Sequence, residues 1–138
     1  MRILIAEDDF ASRVVIKTML EPYGVCDLVV NGEEVIEAFQ LALTENNHYD
    51  LLCLDIMMPK MDGMEALKCI RQIEKENKVP PRKEVKIIMT TALGTPKDVI
   101  DAYYLGGCTS YIVKPMTKEK IKNTLWEIGF EVREDAEL

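Results

Sequence analysis

The sequence predicts an α/β fold built around a parallel sheet. Short apolar runs alternate along the chain with segments of helical periodicity, which is the pattern of strands joined by crossover helices. The clearest run, residues 51–54, is apolar at every position and ends abruptly at Asp55. A strand that is apolar throughout is buried on both faces, as the inner strands of a parallel sheet are. Asp55 therefore lies at the carboxyl end of a strand, where open α/β sheets place their functional groups.

The composition favours a single globular domain. With 138 residues, of which 48% are hydrophobic, the chain can bury a core. A net charge of −7 makes it a poor general partner for nucleic acid or an anionic membrane. No apolar run has the length of a membrane span or of a signal-peptide core. We expect a cytoplasmic domain over residues 1–128 and a short acidic tail over residues 129–138.

The cysteines and the histidine exclude several kinds of site. The four cysteines include no Cys-x-x-Cys pair, so we expect free, mostly buried thiols in a reducing compartment. His48 is the only histidine, which leaves almost no material for a histidine-based metal site or catalytic triad.

Five strands and five helices are predicted in alternation. The strands cover residues 2–6, 25–30, 50–54, 85–89 and 110–113, and the helices residues 10–21, 33–44, 64–75, 96–106 and 117–128. This pattern favours a doubly wound, flavodoxin-like (βα)5 sheet with strand order 2-1-3-4-5. The apolar face of the first helix is assigned to residues that include Val14 and Val15, with Asp9 as its N-cap. Trp126 is expected to anchor the last helix in the core.

Polar side chains stand at the carboxyl ends of four predicted strands. They are Glu7 and Asp8 after strand one, Asp55 after strand three, Thr91 after strand four and Lys114 after strand five. In a parallel sheet these ends meet at one edge, where three carboxylates repel one another. Mg²⁺ relieves such repulsion and prefers oxygen ligands. A lysine and a hydroxyl suit a phosphoryl group, and a carboxylate can attack phosphorus to form an acyl phosphate.

These residues resemble the receiver domain of two-component response regulators, over residues 2–128. The resemblance is carried by motifs that occur in order along the chain: Glu7-Asp8, Asp55 with Met58-Pro59 and Asp62-Gly63 after it, Thr91-Ala92, and Lys114-Pro115. It implies a phosphorylation-activated signalling switch in which Asp55 accepts a phosphoryl group from a histidine kinase or phosphotransfer protein. Such a module catalyses its own phosphorylation and slow dephosphorylation and is not otherwise an enzyme.

The resemblance also assigns roles around Asp55. Asp8, Asp55 and the backbone carbonyl of Met57 would bind Mg²⁺, and Glu7 would act through a water molecule. Thr91 and Lys114 would hold the phosphoryl oxygens. The peptide bond from Lys114 to Pro115 would be cis, which an X-Pro bond permits.

The resemblance further implies a switch and an output face. The Thr91 hydroxyl would move toward the phosphoryl group, and Tyr111 would turn inward. An ordinary strand tyrosine is the alternative reading of Tyr111. The face made by helix four, strand five and helix five would then signal to a protein partner. The resemblance also implies that Met57 and Leu93 would flank the approach of water. Neither side chain can orient water, so we expect a long-lived phosphorylated form.

The sequence departs from the family pattern in two respects. Three other functions are also weighed against the receiver reading. The loop over residues 76–84 is longer than usual, and we expect a stand-alone receiver with no output domain after the last helix. A haloacid-dehalogenase-type hydrolase would need an acid where Met57 stands. A flavodoxin-like cofactor site would need a phosphate-binding loop where Glu7, Asp8 and Asp9 would repel phosphate. The third rival is a constitutive interaction module with a degenerate site.

Overall fold

The computed structural model describes residues 1–92, 101 and 107–131, and its strands form a single parallel sheet. The five strands are β1 (Arg2–Ala6), β2 (Val25–Val29), β3 (Leu51–Asp55), β4 (Lys86–Thr91) and β5 (Ser110–Val113). Their order is 2-1-3-4-5, with β1 paired to both β2 and β3. The predicted fold class and strand order are confirmed.

Four α-helices are present in the described part of the chain. They are α1 (Phe10–Leu20), α2 (Gly32–Thr44), α3 (Gly63–Glu76) and the C-terminal helix (Lys118–Glu127). The side chain before each helix accepts a hydrogen bond from the N–H three residues later, as N-caps do. The helix predicted over residues 96–106 lies, except for Asp101, outside the described residues. No helix in the described ranges is long and apolar enough to cross a membrane.

The sheet separates two apolar clusters. One joins the sheet to α2 and α3, and the other joins it to α1 and the C-terminal helix. Successive side chains of a strand point to opposite faces, so Leu4 packs in the first cluster while Ile3 and Ile5 pack in the second. The central strand β3 is buried at every position, as its uniform apolar sequence predicts.

Two assignments to the core are wrong. In α1 the buried residues are Ile16 and Leu20, four apart on one stripe, while Val14 and Val15 are exposed. Apolar residues cover more than one face of this helix, so the sequence pattern does not select the buried stripe. Trp126 is 69% exposed. The core position belongs to Leu125, and one residue further the helix has rotated by about 100°.

The strand ends also differ from the prediction, and this affects the site. β4 continues through Thr91 rather than stopping at Met89, because its pairing with β5 extends to Thr91 opposite Val113. β3 likewise includes Asp55, which lies in register with Thr90. Both residues are therefore held by sheet hydrogen bonding rather than by a loop.

Candidate functional site

Three carboxylates meet at the carboxyl edge of the sheet. Glu7 and Asp8 follow β1, and Asp55 ends the neighbouring strand β3. Each offers one oxygen, and these oxygens lie within 4.8 Å of one another. Glu7 and Asp55 are only 1% and 4% exposed, while Asp8 faces solvent. The sequence predicted this convergence, and the oxygen-only donor set fits Mg²⁺.

Lys114 lies among these acids. Its Nζ donates hydrogen bonds to both carboxylate oxygens of Glu7, at 3.0 and 3.3 Å. The same Nζ is 3.6 Å from Oδ1 of Asp55. The backbone N–H of Lys114 donates to the carbonyl of Thr91 at 2.7 Å, which fixes β5 against β4 at this point. The peptide bond between Lys114 and Pro115 is cis, as the resemblance implies.

One lysine does not neutralise this cluster. Burial and, after it, the neighbouring Asp55 raise the pKa of Glu7 to about 7, because Lys114 offsets these two effects only in part. Burial alone would lower the pKa of Lys114, but its hydrogen bond to Glu7 and the charges of Asp55 and Glu7 raise it. The site therefore holds a protonated lysine and an excess of negative charge, which a divalent cation relieves.

Backbone contacts fix the position of Asp55. The N–H of Ile56 donates to the carbonyl of Thr90 at 3.0 Å, and the N–H of Gly63 donates to the carbonyl of Ile56 at 2.8 Å. A Cβ at Gly63 would lie 2.2 Å from the carbonyl oxygen of Asp55. Only glycine therefore lets the start of α3 approach the end of β3 this closely.

Sequence reasoning missed Arg13. Its guanidinium donates to the carbonyls of Glu7 at 2.9 Å and Asp8 at 3.3 Å, which ties α1 to the turn that carries both acids. The one available signal was a basic residue in the first helical turn after an acidic turn, and many surface helices share that pattern.

Two adjacent threonines at the end of β4 have different surroundings. Thr91 lies at the carboxyl end of β4, buried and opposite Val113 of β5. Thr90 lies opposite Asp55, and its side chain points to the other face of the sheet. Its Oγ1 is buried and has no hydrogen-bond partner among the described residues. The expected contact of Thr91 with a phosphoryl group stays a prediction.

The residues expected to tune the switch are placed only in part. Met57 is 74% exposed, and its N–H donates to Oδ1 of Asp55 at 3.4 Å. Tyr111 is half-buried in β5 and packs against the cluster below α2 and α3. Leu93 lies outside the described residues. The roles of all three residues in switching and dephosphorylation therefore stay predictions.

A cleft opens beside the acidic site. It measures about 450 Å³ and is lined by α1, by Ala92 and by residues 114–116. Lys114 belongs to both the cleft and the acidic cluster. The α1 side chains Phe10, Val14 and Val15 are exposed, and Val15 also lines the cleft. An apolar surface thus lies next to the carboxylates, and sequence analysis had placed part of it in the core.

Comparison with known proteins gives the class of this fold and site. The response regulator receiver domain family matches residues 3–125. The chain therefore belongs to that family and is a receiver domain of two-component systems.

Individual relatives agree with this assignment. A chemotaxis protein CheY homolog of Campylobacter jejuni is 35% identical over 128 residues, covering 93% of this chain and 92% of the relative. The probable transcriptional regulator ycf29 of Porphyra purpurea is 35% identical over 127 residues. There the match covers 89% of this chain but only 55% of the relative.

Solved structures show the same architecture. CheY in the CheX-CheY-BeF3-Mg complex of Borrelia burgdorferi has a TM-score of 0.75 and 26% identity, covering 95% of this chain and 90% of that one. The co-crystal structure of the Saccharomyces cerevisiae phosphotransfer protein Ypd1 with the receiver domain of Ssk1 gives a TM-score of 0.78 and 27% identity. That match covers 94% of this chain and 88% of that one.

Proposed function

We propose that Asp55 is the phosphoacceptor of a Mg²⁺-dependent signalling switch. The observation that carries this proposal is the position of Asp55. It ends the central strand, shares one edge with Glu7 and Asp8, and lies 3.6 Å from the Lys114 ammonium. A carboxylate of Asp55 attacks the phosphorus of a phosphohistidine, the P–N bond breaks, and an acyl phosphate forms.

The remaining site residues prepare Asp55 for this reaction. Asp8, Asp55 and the carbonyl of Met57 would hold Mg²⁺, and Glu7 would act through a water molecule. When bound, Mg²⁺ supplies positive charge beside the phosphoryl oxygens. Lys114, already protonated between Glu7 and Asp55, exchanges part of this contact for a phosphoryl oxygen. The Thr91 hydroxyl, at the end of the adjoining strand, donates to another oxygen.

The donor is a histidine kinase or a histidine phosphotransfer protein that docks on α1. A donor histidine approaches Asp55 at the carboxyl edge of the sheet, and α1 begins at that edge. Exposed Phe10, Val14 and Val15 offer it an apolar contact beside the cleft at Lys114. The solved structure of Ypd1 with the receiver domain of Ssk1, which is similar to this chain, supports a donor of this kind.

The output is a change in the face formed by residues 96–106, β5 and the C-terminal helix. Thr91 and Tyr111 carry the change, and a downstream protein partner reads it rather than nucleic acid. Trp126, exposed on the C-terminal helix, offers that partner a large apolar contact. The receiver domain spans residues 1–128 with an acidic tail after it, and it acts in the cytoplasm, consistent with four free cysteines.

Phosphorylation of the purified protein tests this proposal. Incubation with acetyl phosphate and Mg²⁺ should add one phosphoryl group, measured by intact mass, and chelation of Mg²⁺ should prevent it. Asp55→Asn should abolish the addition. Asp62→Asn is the matched control, because Asn retains the N-cap of α3 that Asp62 provides. Undiminished labelling of Asp55→Asn would place the phosphoacceptor elsewhere and contradict the proposal.

A further inference from the structure

A cleft lined by basic residues lies at the amino edge of the sheet, opposite the acidic site. It measures about 640 Å³ and lies between the loop that precedes β3 and the loop that follows α3. Four cationic side chains line it: Lys78, Arg82, Lys83 and Lys86. We call this feature the basic cleft. It contains much of the 76–84 loop, whose length departs from the family pattern.

The cations of the basic cleft form no ion pair with the described residues, although the chain as a whole is acidic. Within residues 1–92, 101 and 107–131, none of the four forms an ion pair. The two acids in its lining are already engaged. Asp50 accepts the N–H of Arg2 at 2.7 Å, and Glu84 lies 3.8 Å from the guanidinium of Arg71. The basic cleft therefore favours an anionic occupant.

The end of the C-terminal helix directs the chain to this cleft. Gly129 adopts a φ of +103°, its N–H donates to Trp126, and the N–H of Phe130 donates to the carbonyl of Leu125. These two bonds form a Schellman motif, which reverses the chain after a helix. Phe130 consequently packs against the apolar cluster that contains Leu125, and it also lines the basic cleft.

The sequence after Phe130 has the complementary charge. Residues 131–138 read Glu-Val-Arg-Glu-Asp-Ala-Glu-Leu, with four acids and one arginine. Residues 132–138 lie outside the described part of the chain. Seven extended residues can reach about 23 Å, and they start at the edge of the basic cleft because Phe130 lines it.

We propose that the acidic segment over residues 131–137 binds in the basic cleft of the same molecule. Exposed ion pairs are individually weak, but the tether at Phe130 holds the segment at an effective concentration in the millimolar range. The bound segment joins the C-terminal helix to the 76–84 loop. It also shields the basic cleft from other anions. This proposal concerns the edge of the sheet away from Asp55 and does not depend on the phosphorylation chemistry.

Nuclear magnetic resonance of the full chain tests the proposal. Neutralising the segment by Glu134→Gln/Asp135→Asn/Glu137→Gln should shift the backbone amide signals of residues 78–86. The shifts should vanish in 1 M salt, where exposed pairs are screened. The control Glu33→Gln/Glu37→Gln/Glu119→Gln removes the same number of charges elsewhere and should leave these amides in place. If the two triple variants perturb residues 78–86 equally, the proposal is overturned.

Charge exchange and a probe anion make the test specific. Lys78→Glu/Lys83→Glu should reproduce the amide shifts of the neutralised segment outside the substituted positions, and adding Glu134→Lys/Asp135→Lys should restore the parent signals. Pyrophosphate should bind the neutralised variant on the order of tenfold more tightly than the parent, if the segment occupies the cleft about nine-tenths of the time. Equal pyrophosphate affinity in both would show a cleft open to external anions and would contradict the proposal.

Discussion

Two acid–base clusters in this molecule use their charges in different ways. At the carboxyl edge, Lys114 is the one cation among the described residues that pairs with Glu7 and Asp55. Near the amino edge, Arg71 faces the buried acid Glu74, with their atoms 2.7 Å apart. Several further hydrogen bonds join the second cluster to its surroundings. Arg71 also donates to the carbonyls of Val85 and Gly107, and the second oxygen of Glu74 accepts the N–H of Val85.

The difference separates a structural cluster from a functional one. The planar guanidinium of Arg71 donates in several fixed directions, so it joins α3 to the start of β4 and to the residues before β5. The Lys114 ammonium is a point charge that leaves its acids under-neutralised, and the pKa of Glu7 is raised to about 7. We infer that the Arg71 cluster stabilises the fold. The Lys114 cluster keeps negative charge available to bind a cation and leaves the Asp55 carboxylate to accept a phosphoryl group.

The largest expected effect is on phosphoryl transfer at the carboxyl edge. Lys114→Ala should lower the rate of labelling by acetyl phosphate about 10³-fold, because removal of one preorganised charge from a developing oxyanion costs this much. Arg71→Ala should leave the rate per folded molecule unchanged. Intact-mass time courses on both variants measure this. Equal losses of rate would mean that the two clusters are not functionally distinct.

Stability should show the reverse order. Arg71→Ala leaves Glu74 buried without its cation and should lower the free energy of unfolding by about 3 kcal/mol. Lys114→Ala should cost about 1 kcal/mol, because Glu7 can take up a proton instead of remaining as an unpaired buried charge. Urea unfolding compares the two variants, with Lys68→Ala on the exposed side of α3 as control. A larger loss for Lys114→Ala would reverse our assignment.

A smaller effect concerns how long the phosphoryl group persists. Met57 and Leu93 cannot orient a water molecule, so Met57→Asn/Leu93→Glu should speed phosphate loss by about 10²-fold or more. Phosphate release from the phosphorylated protein measures the rate. A parent protein that already loses phosphate as fast as the double variant would show that these side chains do not limit the reaction.

The smallest effect separates the two threonines of β4. Thr90→Val removes a buried hydroxyl that has no partner among the described residues, and it should raise the free energy of unfolding by about 1 kcal/mol. Labelling of Asp55 should not change. Thr91→Val should slow labelling with little gain in stability. A destabilised Thr90→Val protein would mean that this hydroxyl has an unrecognised partner.

The sequence was sufficient for the carboxyl-edge cluster but not for the amino-edge one. Glu7, Asp55 and Lys114 follow apolar runs directly, so strand periodicity and parallel topology bring them together. Arg71 and Glu74 lie within a helix and meet partners far along the chain, for which local pattern gives no signal. The prediction that Trp126 lies in the core was wrong for a related reason, because the apolar character of a residue does not reveal which stripe of its helix is buried.

We infer that the carboxyl-edge cluster is a cation site rather than a stabilising ion pair. The dependence of unfolding on Mg²⁺ tests this inference most directly. At 100 times its dissociation constant, Mg²⁺ should raise the free energy of unfolding of the parent by about 2.7 kcal/mol. Arg71→Ala should start from lower stability and gain the same increment. Asp8→Asn, which neutralises an exposed carboxylate of the proposed cation site, should lose most of the gain. No Mg²⁺-dependent gain in the parent, or an equal gain in Asp8→Asn, would contradict the account.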